Sequence, residues 1–305
     1  MVTYTNQFDI PSSCNSLAEI ELAIGSIHAN RGASLVISPS TLAKRRGVFH
    51  DAALLQALIT WVRLSPDAQL KISSRNQGLT KETLLVESCD YSVGIAALAL
   101  ASSISVDGFE TQRVDALAPA YQRIDHAFEG KFDQLTKGRC VDLLCVSGAQ
   151  RQFIKPLFSR PNRDAVKDKY SLKPTVRGLA IQAHPRASEF LSESVVLALS
   201  TLTHELFENT QDHATTDLRG QPYRRHVEGM LVSWLRLTDD LVKEDFFRNK
   251  QLRDYWATLA SSQTDREAVA GICFCFIDSG PGMAARLKGK DHFAMSIEEV
   301  NRPGF

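Results

Sequence analysis

An apolar stretch at residues 271–277, Gly-Ile-Cys-Phe-Cys-Phe-Ile, ends abruptly at Asp278 and a Ser-Gly-Pro-Gly turn. A run of this length, bounded by turn residues, predicts a β-strand. Its lack of polar alternation predicts a strand that is central in its sheet and covered on its outer face. Glycines directly after a strand let the backbone approach a ligand closely. The stretch therefore predicts a covered sheet with a candidate binding position at the end of this strand.

Residues 194–214 predict a long amphipathic helix, for which Ser192 or Ser194 can serve as N-cap. Apolar residues recur at spacings of three and four, which predicts one buried stripe. That stripe consists of Val195, Leu199, Leu202 and Leu206. The same helix carries Glu205, Asn209 and Asp212, which fall within about 60° of one another at about 100° per residue. We expect this polar trio beside the buried stripe, in a cleft at the edge of the core. A carboxylate and an amide placed there can hold a hard cation and orient a water molecule.

Two motifs resemble the ATP site of the GHKL superfamily. Glu-Leu-x-x-Asn-x-x-Asp at 205–212 is similar to the N-box, and Asp-Ser-Gly-Pro-Gly-Met at 278–283 is similar to the G1 box. The superfamily includes DNA gyrase B subunits, mismatch-repair ATPases, heat-shock-90 chaperones and sensor histidine kinases. The resemblance covers roughly residues 175–290 and implies an α/β sandwich, with one mixed sheet and helices on one face.

The resemblance also implies ATP and Mg²⁺ as ligands and a role for each matched residue. Glu205 would be the general base that orients the attacking water, and Asn209 would ligate the Mg²⁺ that bridges the phosphates. Asp278 would accept a hydrogen bond from the adenine amino group. The adenine pocket would be completed by Asp212, Gly280, Gly282 and Met283.

In the family, a lid and a second glycine motif, the G2 box, follow the G1 box and hold the phosphates. No Gly-x-Gly occurs after Gly282. We therefore expect the ATP-binding domain to be truncated before the G2 box.

Three functions are compatible with these motifs. The leading hypothesis is Mg²⁺-dependent ATP binding with slow hydrolysis, used as a conformational switch. Such switches often drive dimer closure in the family, so a homodimer or a protein partner is expected. The second hypothesis is a sensor-type protein kinase, although no His-Glu-Leu-x-x-Pro phosphoacceptor precedes the N-box. The third is a non-hydrolysing module that senses nucleotide as a scaffold.

Strand and helix patterns alternate through the first half of the chain, which predicts a separate small α/β domain at residues 1–158. No motif assigns it a function, and a regulatory role is one interpretation. Strands are expected at residues 34–38, 69–73 and 142–147, and helices at 48–64, 92–102 and 152–158. Residues 159–176 are interpreted as a basic linker and residues 177–305 as the ATP-binding domain. That domain would contain further strands at 177–183 and 229–237 and a packing helix within 243–262.

Charge gives a weak argument about partners. Lys plus Arg and Asp plus Glu both number 35, so no global charge attracts nucleic acid or a membrane. Residues 151–180 hold eight Lys or Arg against two Asp, a net charge of +6. A basic linker could bind a phosphate backbone, but beyond Tyr170 no aromatic residues accompany it, and a solvated linker is the preferred interpretation.

The chain is expected to reside in the cytoplasm. Its first residues are polar where a signal peptide needs an apolar run, and the most apolar window, residues 93–106, is too short to span a bilayer. Six cysteines lack the spacing of metal sites and are interpreted as reduced core thiols.

Overall fold

The computed structural model describes residues 7–11, 14–65, 67–73, 78–146, 156–159, 165–238, 250–261, 268–290 and 294–295. These residues form a mixed α/β protein with one five-stranded and one three-stranded sheet. The predicted α/β class is therefore confirmed, whereas the GHKL sandwich stays a prediction.

The first sheet has the order β1-β2-β3-β4-β5. Its strands are β1 (Gln7–Asp9), β2 (Ser34–Ile37), β3 (Gln69–Ile72), β4 (Ser103–Val106) and β5 (Phe109–Thr111). Strands β1 to β4 pair in parallel, and β5 returns antiparallel to β4. Asp107 and Gly108 both have positive φ and join β4 to β5. An Asp-Gly pair suits this hairpin because both central residues of a type I′ turn need that conformation.

Helices connect and cover these strands. They are α1 (Leu17–Ala29), α2 (Pro39–Ala43), α3 (Val48–Leu64), α4 (Lys81–Ser88), α5 (Ser92–Leu100), α6 (Arg113–Leu117) and α7 (Tyr121–Glu129), with short 3₁₀ turns at Ala118–Ala120 and Phe132–Gln134. The predicted strands at 34–38 and 69–73 and the predicted helices at 48–64 and 92–102 are confirmed. Every residue of α5 is buried, which fits its continuous apolar sequence.

The second sheet has the order β6-β7-β8, with both pairs antiparallel. Its strands are β6 (Cys140–Val146), β7 (Val227–Thr238) and β8 (Ala268–Asp278). The remaining helices are α8 (Lys169–Ala183), α9 (Ala187–Phe190), α10 (Glu193–His213), α11 (Lys250–Ser261) and α12 (Met283–Lys288). Helix α8 packs on α10, β6 and β7, while α3 and α5 of the first half also contact this sheet. All seven residues of β6 are buried, so both of its faces are covered.

Strand pairing and core packing cross the predicted boundary at residue 158. Strand β6 lies in the first predicted range, yet it pairs with β7 of the second along seven positions. One continuous hydrophobic core contains residues from both ranges, from Phe8 to Ile277. The first half thus supplies strand β6 to the second sheet and packs α3 and α5 against it, and the predicted division into domains stays a prediction.

The predicted strand at 177–183 is wrong, since these residues form the second half of α8. The helix begins at Lys169, so the later part of the predicted linker is also helical. Asp168 caps it by accepting hydrogen bonds from the backbone N–H groups of Tyr170 and Ser171. Its buried positions have helical spacing and are Leu172, Thr175, Val176, Leu179, Ala180 and Ala183. The apolar pattern of α8 begins inside the predicted linker, and its last seven residues alone are too few to show a helical period.

Strand β8 was expected to be central, but β7 is central and β8 lies at the edge of the three described strands. Its apolar sequence reflects cover from α3 and from Phe207 of α10, whose ring packs edge-on against Phe276 at 6.0 Å. The predicted strands at 229–237 and 142–147 correspond to β7 and β6. Within 243–262, helix α11 is confirmed for Lys250–Ser261, and residues 243–249 lie outside the described part. The predicted helix at 152–158 falls mostly outside it as well.

Among the described residues, no single helix is both long and apolar enough to cross a membrane. Helices α4 and α5, which are joined at a bend, are together long and apolar enough for a membrane span by length and composition alone. Since α5 is buried throughout, its apolar sequence is explained by the protein core.

The six cysteines are free, and Cys14, Cys89, Cys140 and Cys145 are buried. Burial raises the pKa of Cys89 to about 12 and that of Cys140 to about 11. Because the thiolate is the reactive form, we expect the native protein at neutral pH to react with iodoacetamide far more slowly than free cysteine does. Mass spectrometry should find Cys89 and Cys140 alkylated only after denaturation in guanidinium. Rapid alkylation of either Cys89 or Cys140 in the native protein would contradict this burial.

Candidate functional site

A cleft of about 600 Å³ lies between the C-terminal half of α10 and the turn that follows β8. Its apolar walls are Leu206, Phe207, Ala214, Phe276, Ile277, Pro281, Met283 and Leu287, and its polar groups are Asn209, Thr210, His213, Asp278 and Arg286. Small-molecule sites commonly combine apolar walls with a few polar groups. The two sequence motifs thus meet at one concave surface.

Asn209 and Asp278 are the polar motif residues that line this cleft, and both are exposed. Oδ1 of Asp278 accepts a hydrogen bond from the backbone N–H of Gly280 at 2.8 Å. This bond fixes the carboxylate, and within the described part of the chain its other oxygen is left to accept from a ligand. Gly282, with a φ of 84°, and Met283, which is 76% exposed, also line the cleft.

Gly280 acts by close packing rather than by lining the cleft. A Cβ atom at this position would lie 2.6 Å from both Cα and Cβ of Ala214, at the end of α10. Real Cβ contacts do not occur at that distance, so only glycine lets the turn approach the helix end. The contact holds the two motifs against each other.

Helix α10 buries a different stripe from the predicted one. Its buried residues are Val196, Ser200, Thr203, Phe207 and Thr210, whereas Val195 is 41% and Leu202 is 48% exposed. Hydroxyl groups can occupy the buried stripe because they donate to carbonyls four residues earlier, as Ser200 Oγ does to Val196 O at 2.7 Å. The predicted stripe was therefore wrong, because the apolar pattern ignored hydroxyls that bond within the helix.

The polar trio consequently lies opposite the buried stripe, not beside it as predicted, at about 100° per residue. Leu206 lines the cleft, and Asn209 is the member of the trio closest to it around the helix axis, about 60° away. Glu205 and Asp212 are exposed and lie outside the lining of the cleft. The structure thus brings Asn209, but neither carboxylate of the trio, to the cleft with Asp278.

A buried chain of hydrogen-bonding groups connects α10 to the turn. Gln211 Nε2 donates to both carboxylate oxygens of Glu228 at 2.8 and 2.7 Å, and Glu228 Oε2 lies 3.5 Å from His226 Nε2. His226 Nδ1 is 3.0 Å from the hydroxyl of Ser279, which also accepts from the backbone N–H of Val227. Ser279 is only 1% exposed, so its hydroxyl is a structural group rather than a nucleophile. The sequence patterns missed this chain because its members lie on three separate segments.

Arg286 of α12 holds the loop after α10. Its Nε donates to His213 O at 2.9 Å, its Nη1 to Asp217 O at 2.8 Å, and its Nη2 to Thr216 Oγ1 at 2.8 Å. These bonds use donors of all three guanidinium nitrogens, so Arg286 shapes the cleft through its protein contacts. No short-range sequence signal marks this residue, since its partners lie about 70 positions earlier.

The described residues contain no group of three or more His, Cys, Asp or Glu side chains that could hold a metal ion by themselves. Magnesium in nucleotide sites is commonly held by one or two carboxylates together with substrate phosphates and water. The exposed amide of Asn209 offers one neutral oxygen ligand at the cleft.

Comparisons of the chain with protein-family models, with curated proteins and with solved structures found no match.

Proposed function

We propose that this chain binds ATP with Mg²⁺ in the cleft between α10 and the turn after β8, as a member of the GHKL superfamily. One observation carries the proposal: Asn209 and Asp278, which are distant in the sequence, line the same cleft of about 600 Å³. The order and type of these residues are those of the N-box and the G1 box.

The chemistry of the cleft supports an adenine ligand. Its apolar walls can cover the faces of a purine, and the free oxygen of Asp278 can accept a hydrogen bond from an exocyclic amino group. Asn209 lies on the opposite wall and would hold Mg²⁺ together with phosphate oxygens and water. The ion would neutralise phosphate charge when bound.

Calorimetric titration of the 305-residue chain tests this proposal directly. We expect Mg·ATP to bind with one site per chain and to bind more tightly than Mg·GTP, because guanine presents a carbonyl oxygen where adenine presents an amino group. Binding of neither nucleotide, or preference for GTP, would refute the proposal. Loss of affinity on removing Mg²⁺ with a chelator would support the requirement for the ion.

Hydrolysis is the conditional part of the proposal. A water oxygen would attack the γ-phosphorus, the bond to the ADP oxygen would break, and Glu205 would take the water proton. Since Glu205 is exposed and outside the cleft lining, binding without turnover is favoured for the conformation described.

Glu205→Gln separates turnover from binding. We expect the variant to bind Mg·ATP within about twofold of the wild type. If the wild type releases phosphate from γ-labelled ATP, the variant should lose that rate by about a hundredfold or more, as expected for removal of a general base. The same labelled nucleotide distinguishes the alternatives: label on the protein indicates a kinase, and binding without release indicates a sensing module. Phosphate release that survives in Glu205→Gln would remove Glu205 from the mechanism.

A further inference from the structure

Arg63, the penultimate residue of α3, reaches the turn of the proposed nucleotide site from the first half of the chain. Its Nη2 donates a hydrogen bond to the backbone carbonyl of Ser279 at 2.7 Å. The guanidinium also lies 3.3 Å from the ring centroid of Tyr223, just before β7. Arg63 thus connects α3, the segment before β7 and the turn after β8.

Arg63 and Tyr223 are half-buried in this contact, and Ser279, which accepts the hydrogen bond, is fully buried. Arg63 Nε is buried and has no hydrogen-bond partner within the described part of the chain. Burial lowers the pKa of the Arg63 guanidinium, and the Tyr223 ring covers one of its faces. A cation that loses hydration in this way is held in place by the few contacts that remain.

The bonded carbonyl belongs to the residue between Asp278 and Gly280. The side chain of Ser279 is already fixed by Val227 and His226, so the bond from Arg63 fixes the following peptide group. That peptide carries the N–H of Gly280, which donates to Asp278 Oδ1. Rotation of this peptide would therefore release the carboxylate that faces the cleft.

We propose that Arg63 is a positioning residue through which the first-half α/β layer sets the affinity of the cleft for nucleotide. This inference rests on the proposed function. A displacement of α3 that breaks the bond from Arg63 to Ser279 would therefore weaken nucleotide binding.

Arg113 provides a matched control. Its Nη2 donates to the carbonyl of Ala101 at 2.7 Å, its Nε is likewise buried without a hydrogen-bond partner among the described residues, and burial lowers its pKa too. It lies outside the turn and the cleft lining. Arg63→Ala and Arg113→Ala therefore remove the same kind of contact, and only one of these contacts reaches the proposed site.

The experiment measures Mg·ATP affinity by calorimetry and unfolding by urea for the full chain. We expect Arg63→Ala to weaken binding by about tenfold, whereas Arg113→Ala stays within about twofold of the wild type. Both variants should lower the free energy of unfolding by a similar amount. A weaker affinity in Arg63→Ala alone would then reflect the position of the turn rather than a less stable fold. Arg63→Lys keeps a donor and should restore part of the affinity.

The outcomes separate this inference from the proposed function. If the wild type binds no nucleotide, both are overturned. If the wild type binds and Arg63→Ala binds equally well, only the positioning role is overturned. Equal weakening in Arg63→Ala and Arg113→Ala would overturn it too, because the loss would then follow from stability alone.

Discussion

Gly280→Ala is expected to weaken Mg·ATP binding by about ten- to a hundredfold and to lower the free energy of unfolding by about 1–3 kcal/mol. The added methyl would lie 2.6 Å from the backbone Cα of Ala214, and backbone cannot give way as the end of a side chain can. The turn must therefore move off the end of α10, which separates Asp278 from Asn209. Calorimetry and urea unfolding measure the two effects.

Gly271→Ala is the control, because Gly271 lies on β8, the strand that leads into this turn. A Cβ atom there would meet no atom within 4 Å, so the fold and the affinity should change little. Normal binding by Gly280→Ala would show that the close approach of turn and helix does not shape the site. An equal loss in Gly271→Ala would mean that the loss does not come from the clash with Ala214.

Asp278→Asn is expected to reduce Mg·ATP affinity by about ten- to a hundredfold while leaving unfolding within about 0.5 kcal/mol of the wild type. The remaining amide oxygen can still accept from Gly280, so the turn keeps its shape. The new NH₂ group would face the adenine amino group, which leaves two donors opposed. Against guanine the same NH₂ can donate to a carbonyl, so the preference for ATP over GTP should fall.

Asp254→Asn on α11 controls for the loss of one negative charge, because Asp254 is exposed and remote from the cleft lining. It should bind like the wild type. If Asp278→Asn retained both the affinity and the preference for ATP, the free oxygen of Asp278 would have no part in base recognition.

The spacing of apolar residues predicted those elements that keep one face against the core along their whole length. Helix α3 was predicted with its observed bounds, because its apolar face repeats regularly from Val48 to Leu64. Strand β2 was predicted from a short apolar run, and β3 from alternating polar and apolar residues. The motif pair predicted which parts of the chain would meet, and Asn209, Asp278, Gly282 and Met283 do line one cleft.

The remaining features depend on contacts that no local pattern contains. The buried stripe of α10 includes Thr203 and Thr210 because their hydroxyls bond within the helix. The partner of β7 could not be predicted because β6 lies across the assumed boundary. Arg63 and Arg286 each bond to carbonyls remote in sequence, and an arginine alone does not reveal which carbonyl it will reach.

The pairing of β6 with β7 along seven positions also limits how the proposed site could be transferred to another protein. A gene rearrangement that carried only residues 177–305 into another protein would bring β7 without the strand that satisfies one of its edges. The transferred piece would then expose unpaired backbone groups along a strand rich in apolar residues, a known route to aggregation. Moving the proposed nucleotide site by recombination at the boundary that its motifs suggest would therefore leave β7 without one of its pairing strands.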